Sequence, residues 1–192
     1  MKRSHQIIAL SSTIAMLSMA SALRVQDQQM QDQPEKSVSD LLGAIQREQL
    51  QEGPYNIWFD KQYDDYQSDQ DQLQELSQRL SGVTVRLFLG TWCGDSKRQV
   101  PRFFSLLDEV GYSSDHVELI AINRSKEVPS LFGSGLNIHH VPTFIIMRGE
   151  RELGRIIETP VVSLEQDMLT ILRGEPYQPN HSKLEKAVGV DH

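Results

Sequence analysis

Residues 83–89 (Val-Thr-Val-Arg-Leu-Phe-Leu) form an apolar, β-branched run broken only by Arg86, and the run stops at Gly90. A run of this length with little alternation predicts a strand largely buried on both faces. Such a strand needs cover above and below, which points to layered helices and sheet. Gly90 to Asp95 reads as a turn. A helix follows, with Val100, Phe103, Phe104, Leu106, Leu107 and Val110 as apolar positions, Pro101 as an internal kink and Gly111 as its end.

The remaining periodicities extend this unit in both directions. A first helix is expected from Ser37, with Val38, Leu41, Leu42 and Ile45 on its apolar face and Gly53-Pro54 as its stop. Tyr55, Trp58, Phe59, Tyr63 and Tyr66 form an aromatic cluster, expected to pack against the main domain. Ser68 is expected to cap a helix carrying Leu73, Leu76 and Leu80. After the 83–111 unit come a buried strand at 117–122, a short helical turn at 128–132 and a hairpin of residues 143–147 and 152–157. A last helix from Ser163 to Leu172 is closed by Gly174. The element order predicts an α/β fold with a central mixed sheet flanked by helices.

The chain has 192 residues, of which 39% are hydrophobic and 23% charged, and a net charge of −7. That length suits one domain with extensions, and the acidic balance argues against nucleic acid as a partner. Lys2 and Arg3, the apolar stretch 7–19 and the small-x-small triplet Ala20-Ser21-Ala22 read as a signal peptide, residues 1–22, cleaved after Ala22. The stretch is too short and serine-rich to span a membrane, so no stable insertion is expected after cleavage. Residues 23–36 read as a polar linker, 37–67 as a helical and aromatic extension, 68–173 as the main domain and 174–192 as a polar tail. The expected location is periplasmic or secreted.

Cys93 is the only cysteine. A lone cysteine outside the cytoplasm suggests a reactive thiol or an intermolecular bond, and a Cys93–Cys93 dimer is one arrangement it allows. At the start of a helix its sulfur faces unpaired backbone N–H groups and the positive dipole end, which favour a thiolate. Lys97 and Arg98 add to this and Asp95 opposes it. Ser96 can donate a hydrogen bond to the thiolate, but its hydroxyl is too weak a nucleophile to release a mixed disulfide.

Three features of these residues resemble the thioredoxin superfamily. Trp92-Cys93-Gly94-Asp95-Ser96 resembles the W-C-G-x-C active site that follows the first central strand. Pro101, eight residues past Cys93, stands where those proteins kink the helix. Val141-Pro142-Thr143 resembles the segment whose proline is cis and lies against the active cysteine. The resemblance covers about residues 68–173 and implies a thioredoxin-like fold, with Cys93 and Ser96 at the catalytic position. It implies substrate contacts at Trp92, Gly94, Asp95, Val141, Pro142 and Thr143, with His140 and Lys97 tuning the thiol. Ser96 in place of the second cysteine, Leu87 in place of a buried acid and His140 beside the proline are departures from the family pattern.

The expected activity is monothiol thiol–disulfide exchange through Cys93, with protein or low-molecular-weight thiols and disulfides as partners. No cofactor and no resident metal are expected. One alternative is a non-catalytic thioredoxin-fold module that binds peptides or proteins. Another is a copper-handling protein using Cys93 and His140, since a thiolate and an imidazole can share a soft metal.

Overall fold

The computed structural model describes residues 39–127, 130–132 and 135–181. The expected signal peptide, the linker, Ser37 and Val38, and the tail beyond His181 lie outside the described residues. The elements are β1 (Gly43–Ile45), α1 (Arg47–Leu50), α2 (Asn56–Asp64), α3 (Gln70–Arg79), β2 (Val83–Leu89), α4 (Gly94–Glu109), β3 (Val117–Ala121), β4 (Thr143–Arg148), β5 (Arg151–Ile157) and α5 (Leu164–Arg173). Single 3₁₀ turns occur at Ser114–His116 and Ser130–Phe132.

The five strands form one mixed sheet in the order β1-β3-β2-β4-β5. β2 runs parallel to β3 and antiparallel to β4, and the β4–β5 hairpin closes one edge. This is a thioredoxin-like α/β fold. The parallel β2–β3 pair requires a crossover, and α4 supplies it.

Within the described residues 39–52, the expected helix is replaced by a strand and a short helix. Gly43 has φ +82°, a left-handed conformation that a right-handed helix cannot absorb and that glycine adopts without a Cβ penalty. Residues 43–45 then pair antiparallel with Ala121, Ile120 and Leu119. The gain is backbone pairing along the outer edge of β3 and burial of Ile45, while Leu42 is left exposed. α1 is clamped to α4. The Arg47 guanidinium donates two bonds to Asp108 at 2.6 and 2.9 Å, and Tyr63 donates its hydroxyl to the same carboxylate at 2.6 Å. Burial pushes the Asp108 carboxyl up, but these donors outweigh it and hold the group below the usual carboxylate range.

β2 is buried on both faces only in its second half. Thr84 is exposed and Arg86 half-buried, with Arg86 ion-paired to Glu118 at 2.8 Å across the parallel pair. Leu87, Phe88 and Leu89 are fully buried. Val83, Val85, Leu87 and Leu89 belong to the main core, where they join Phe59 of α2, Leu76 of α3, Phe103 and Phe104 of α4 and Met168 of α5. Trp58, Phe59, Tyr63 and Tyr66 feed this core, with Phe59 and Phe104 ring centroids 6.2 Å apart. Phe88 belongs instead to a smaller cluster with Ile120, Ile122, Ile138, Val141 and Ile145, against which Trp92 and Cys93 pack. Trp92 and Cys93 therefore rest on the second cluster, while the helix that follows them, α4, packs into the main core.

Helix ends follow local chemistry. The cap of α3 is Asp69, not Ser68: its carboxylate accepts from the Asp71 amide at 3.1 Å. Ser163 caps α5 by accepting from Gln166 N–H at 3.1 Å, and Gly174, at φ +72°, ends it in the left-handed conformation. Among the described residues, no helix is long and apolar enough to cross a membrane.

Candidate functional site

The site begins where β2 ends. Gly90 accepts the Cys93 amide at 2.9 Å, closing a tight turn, and Cys93 occupies the N-cap of the 16-residue helix α4 in extended backbone. Its carbonyl accepts the Lys97 amide at 3.0 Å, which fixes the helix start. The Cys93 side chain does not cap the helix. It donates instead to the Val141 carbonyl, with Sγ and O 3.1 Å apart. Cys93 is half-exposed and unpaired. The sulfur thus lies at the N-terminus of a long helix, partly accessible to solvent.

Two bonds hold the turn to the sheet. Ser96 is fully buried, and its Oγ accepts the Gly90 amide at 3.1 Å. The serine hydroxyl thus joins the first turn of α4 to the end of β2. Trp92 donates its indole N–H to the Ile122 carbonyl at 2.9 Å, and Ile122 N–H donates to Leu89 at 2.9 Å. The indole lies over the Gly90 Cα: a Cβ built there would sit 2.6 Å from the ring. Glycine at 90 is therefore required by close approach of the tryptophan.

Charges around the sulfur are partly compensated. Asp95 is ion-paired with Arg98, three residues along α4. The cation credited to Arg98 and the anion of Asp95 thus offset one another, leaving half-buried Lys97 as the other cation of the first turn. Arg124 stacks its guanidinium over the Trp92 ring, 5.1 Å from the centroid.

The facing loop supplies the other wall. The Val141–Pro142 peptide is cis. Val141 is buried, and Thr143 donates its hydroxyl to the His140 carbonyl at 2.7 Å. His140 pairs its Nδ1 with Glu158 at 3.1 Å. His139 is exposed.

Trp92, Cys93, Gly94, Asp95, Ser96, Val141, Pro142 and Thr143 are thus gathered at one end of the sheet, around the Cys93–Val141 contact. Several residues that build the site carry weak sequence signals. Thr91 is buried; its Oγ1 accepts the Leu41 amide at 3.2 Å and donates to Asp40 at 3.3 Å, so the segment before β1 braces the turn. Ile122 and Arg124 follow β3, where only strand-end position marks them. Glu158, directly after the apolar end of β5, becomes visible as a partner only once the His140 loop is folded beside it.

No known protein-family model matches the chain. The chain is 27% identical over 109 residues to Thioredoxin H9 of Arabidopsis thaliana, covering 57% of this chain and 73% of that one. That likeness supports a place among thioredoxin-like proteins. Two solved structures are similar to it at a lower level. One is a protein of unknown function from Pseudomonas aeruginosa, 20% identical over 70% of this chain and 76% of that chain, with a TM-score of 0.35. The other is an HIV epitope scaffold, 17% identical over 71% of this chain and 94% of that chain, with a TM-score of 0.29. The fold assignment rests on the sheet topology and the thioredoxin likeness, not on these two.

Proposed function

We propose that this chain is an exported monothiol thiol–disulfide exchange protein with Cys93 as its nucleophile. The observation that carries the reading is the position of the Cys93 sulfur. It is half-exposed at the N-terminus of α4, 3.1 Å from the Val141 carbonyl on the loop that enters β4.

The reaction runs in two exchanges. The Cys93 thiolate attacks one sulfur of a substrate disulfide; a Cys93–substrate disulfide forms, the substrate S–S bond breaks, and the second substrate sulfur leaves as a thiolate. An external thiolate then attacks the mixed disulfide, releasing the Cys93 thiolate and a new disulfide. The external thiol is needed because the residue three positions on is Ser96, whose hydroxyl is buried and engaged with Gly90. Half-buried Trp92, next to Cys93 in the chain, offers an apolar ring to an extended partner.

Export rests on the sequence of residues 1–22, with cleavage after Ala22; N-terminal sequencing of the mature protein tests it. The enzymatic reading is tested with a glutathionylated peptide and glutathione as the second thiol. Turnover by the wild type that is lost in Cys93→Ser supports it. Absence of turnover, together with partner binding unchanged by Cys93→Ser, leaves a thioredoxin-fold binding module.

A further inference from the structure

At the loop that carries Val141, three segments distant in sequence converge on one carboxylate. His140 comes from the loop before β4, Glu158 from the residue after β5, and His181 from the segment after α5. Glu158 Oε1 lies 3.1 Å from His140 Nδ1, and its Oε2 lies 2.8 Å from His181 Nε2. The two imidazoles are stacked, with centroids 4.5 Å apart and planes inclined by 18°. One ligand atom from each residue falls within a 4.8 Å span. We propose that these residues form a binding site for one zinc-class divalent cation.

The donor set fits that class. Two neutral imidazole nitrogens and one carboxylate oxygen are the ligands of open zinc sites, in which water completes the tetrahedron. Two imidazoles disfavour calcium and magnesium, which take oxygen ligands. Bonds of about 2.0–2.1 Å at tetrahedral angles set donor atoms roughly 3.3 Å apart. The two Glu–His separations, 3.1 Å to Oε1 and 2.8 Å to Oε2, are close to this, and with one ligand atom per residue the three lie within 4.8 Å, so the side chains have to close in on a single cation.

The backbone around each ligand is fixed independently of a cation. Thr143 Oγ1 donates to the His140 carbonyl at 2.7 Å, and Glu158 N–H donates to the Pro142 carbonyl at 2.7 Å. Asn180, next to His181, donates its amide to the Thr159 carbonyl at 3.0 Å. Glu158 and His181 both have positive φ, +58° and +65°. Non-glycine residues hold that conformation at a cost and concentrate where a side chain must be aimed. A bound cation would tie the segment after α5 to the end of β5 and to the loop that carries Val141, whose carbonyl contacts Cys93. Cys93 is not one of the ligands.

The test is titration of the metal-free full chain with Zn2+ by calorimetry, with Co2+ absorption as a report on coordination. The expected result is saturable binding of one Zn2+ per chain, weakened at least tenfold by Glu158→Gln and by His181→Ala. Cys93→Ser and the surface control His116→Ala should leave it unchanged. Glu158→Gln keeps the size and hydrogen-bonding reach of the side chain, and circular dichroism confirms that each variant is folded. No saturable binding at millimolar Zn2+, affinity unchanged in Glu158→Gln and His181→Ala, or loss in Cys93→Ser would each overturn the site. Because the readout is metal binding and not disulfide exchange, it stands or falls separately from the proposed thiol activity.

Discussion

Ser96 Oγ accepts the backbone N–H of Gly90 at 3.1 Å, entirely out of contact with water. Ser96 is thus a structural joint between β2 and α4. Ser96→Ala leaves a buried amide without an acceptor and should cost about 1–3 kcal/mol in denaturant unfolding. Ser96→Cys should also be less stable than wild type, because sulfur is a weak acceptor. It adds a second thiol three residues from Cys93 on the first turn of α4, however, and should release a captured disulfide partner without external thiol. Capture by Ser96→Cys that persists until thiol is added would show the two side chains to be too far apart to react.

Gly90 and Trp92 are matched by close approach. Gly90→Ala puts a methyl group 2.6 Å from the indole, so the ring must move and the 2.9 Å bond from Trp92 to the Ile122 carbonyl must lengthen or break. The expected loss is about 1–3 kcal/mol, the usual scale of overpacking. Tryptophan fluorescence in a Trp58→Phe background reads the displacement directly; an unshifted spectrum with unchanged stability would contradict the packing.

Phe103 and Phe144 pack with centroids 4.9 Å apart, joining α4 to β4 across the main core. Both are about 1% exposed, so neither can be trimmed without leaving a void. Phe144→Ala should destabilise by about 3–5 kcal/mol, measured by chemical denaturation. Its distance from solvent predicts no compensating rearrangement at the surface.

Glu75 links α3 to α5. It accepts from Arg173 at 2.8 Å and from Arg79 at 2.6 Å. Hydrogen bonds from Arg173 first, then Arg79, lower its pKa from 4.5 to about 2. A folded-state value below the unfolded one means that the contribution is complete above about pH 4.5 and is lost as pH falls towards 2. The Tm difference between wild type and Glu75→Gln should therefore be constant near neutrality and shrink between those two pH values. A difference independent of pH across that window would assign the effect to packing.

The central strand, the turn that carries Cys93 and the last helix were legible in the sequence because their signals are local. Residues 83–89 are a dense apolar run, Trp92-Cys93-Gly94 follows it directly, and Ser163 and Gly174 mark both ends of α5. β1 was not legible: three residues carry no usable period, and what makes them a strand is the free edge of β3, distant in sequence. Thr84 and Arg86 show the opposite limit, since an apolar run conceals which of its positions the fold leaves uncovered. At the site, Ser96 could be placed but not its partner, because its bond to Gly90 depends on how α4 leaves the sheet. His140, Glu158 and His181 lie too far apart in the chain for spacing to relate them.

The most direct test of the proposed chemistry is intact-mass spectrometry of the folded protein with oxidised glutathione under non-reducing conditions. The expected result is a single glutathione adduct on Cys93, absent in Cys93→Ser and released by added thiol. A folded wild-type protein that stays unmodified, while its denatured chain reacts under the same conditions, would contradict Cys93 as an accessible nucleophile.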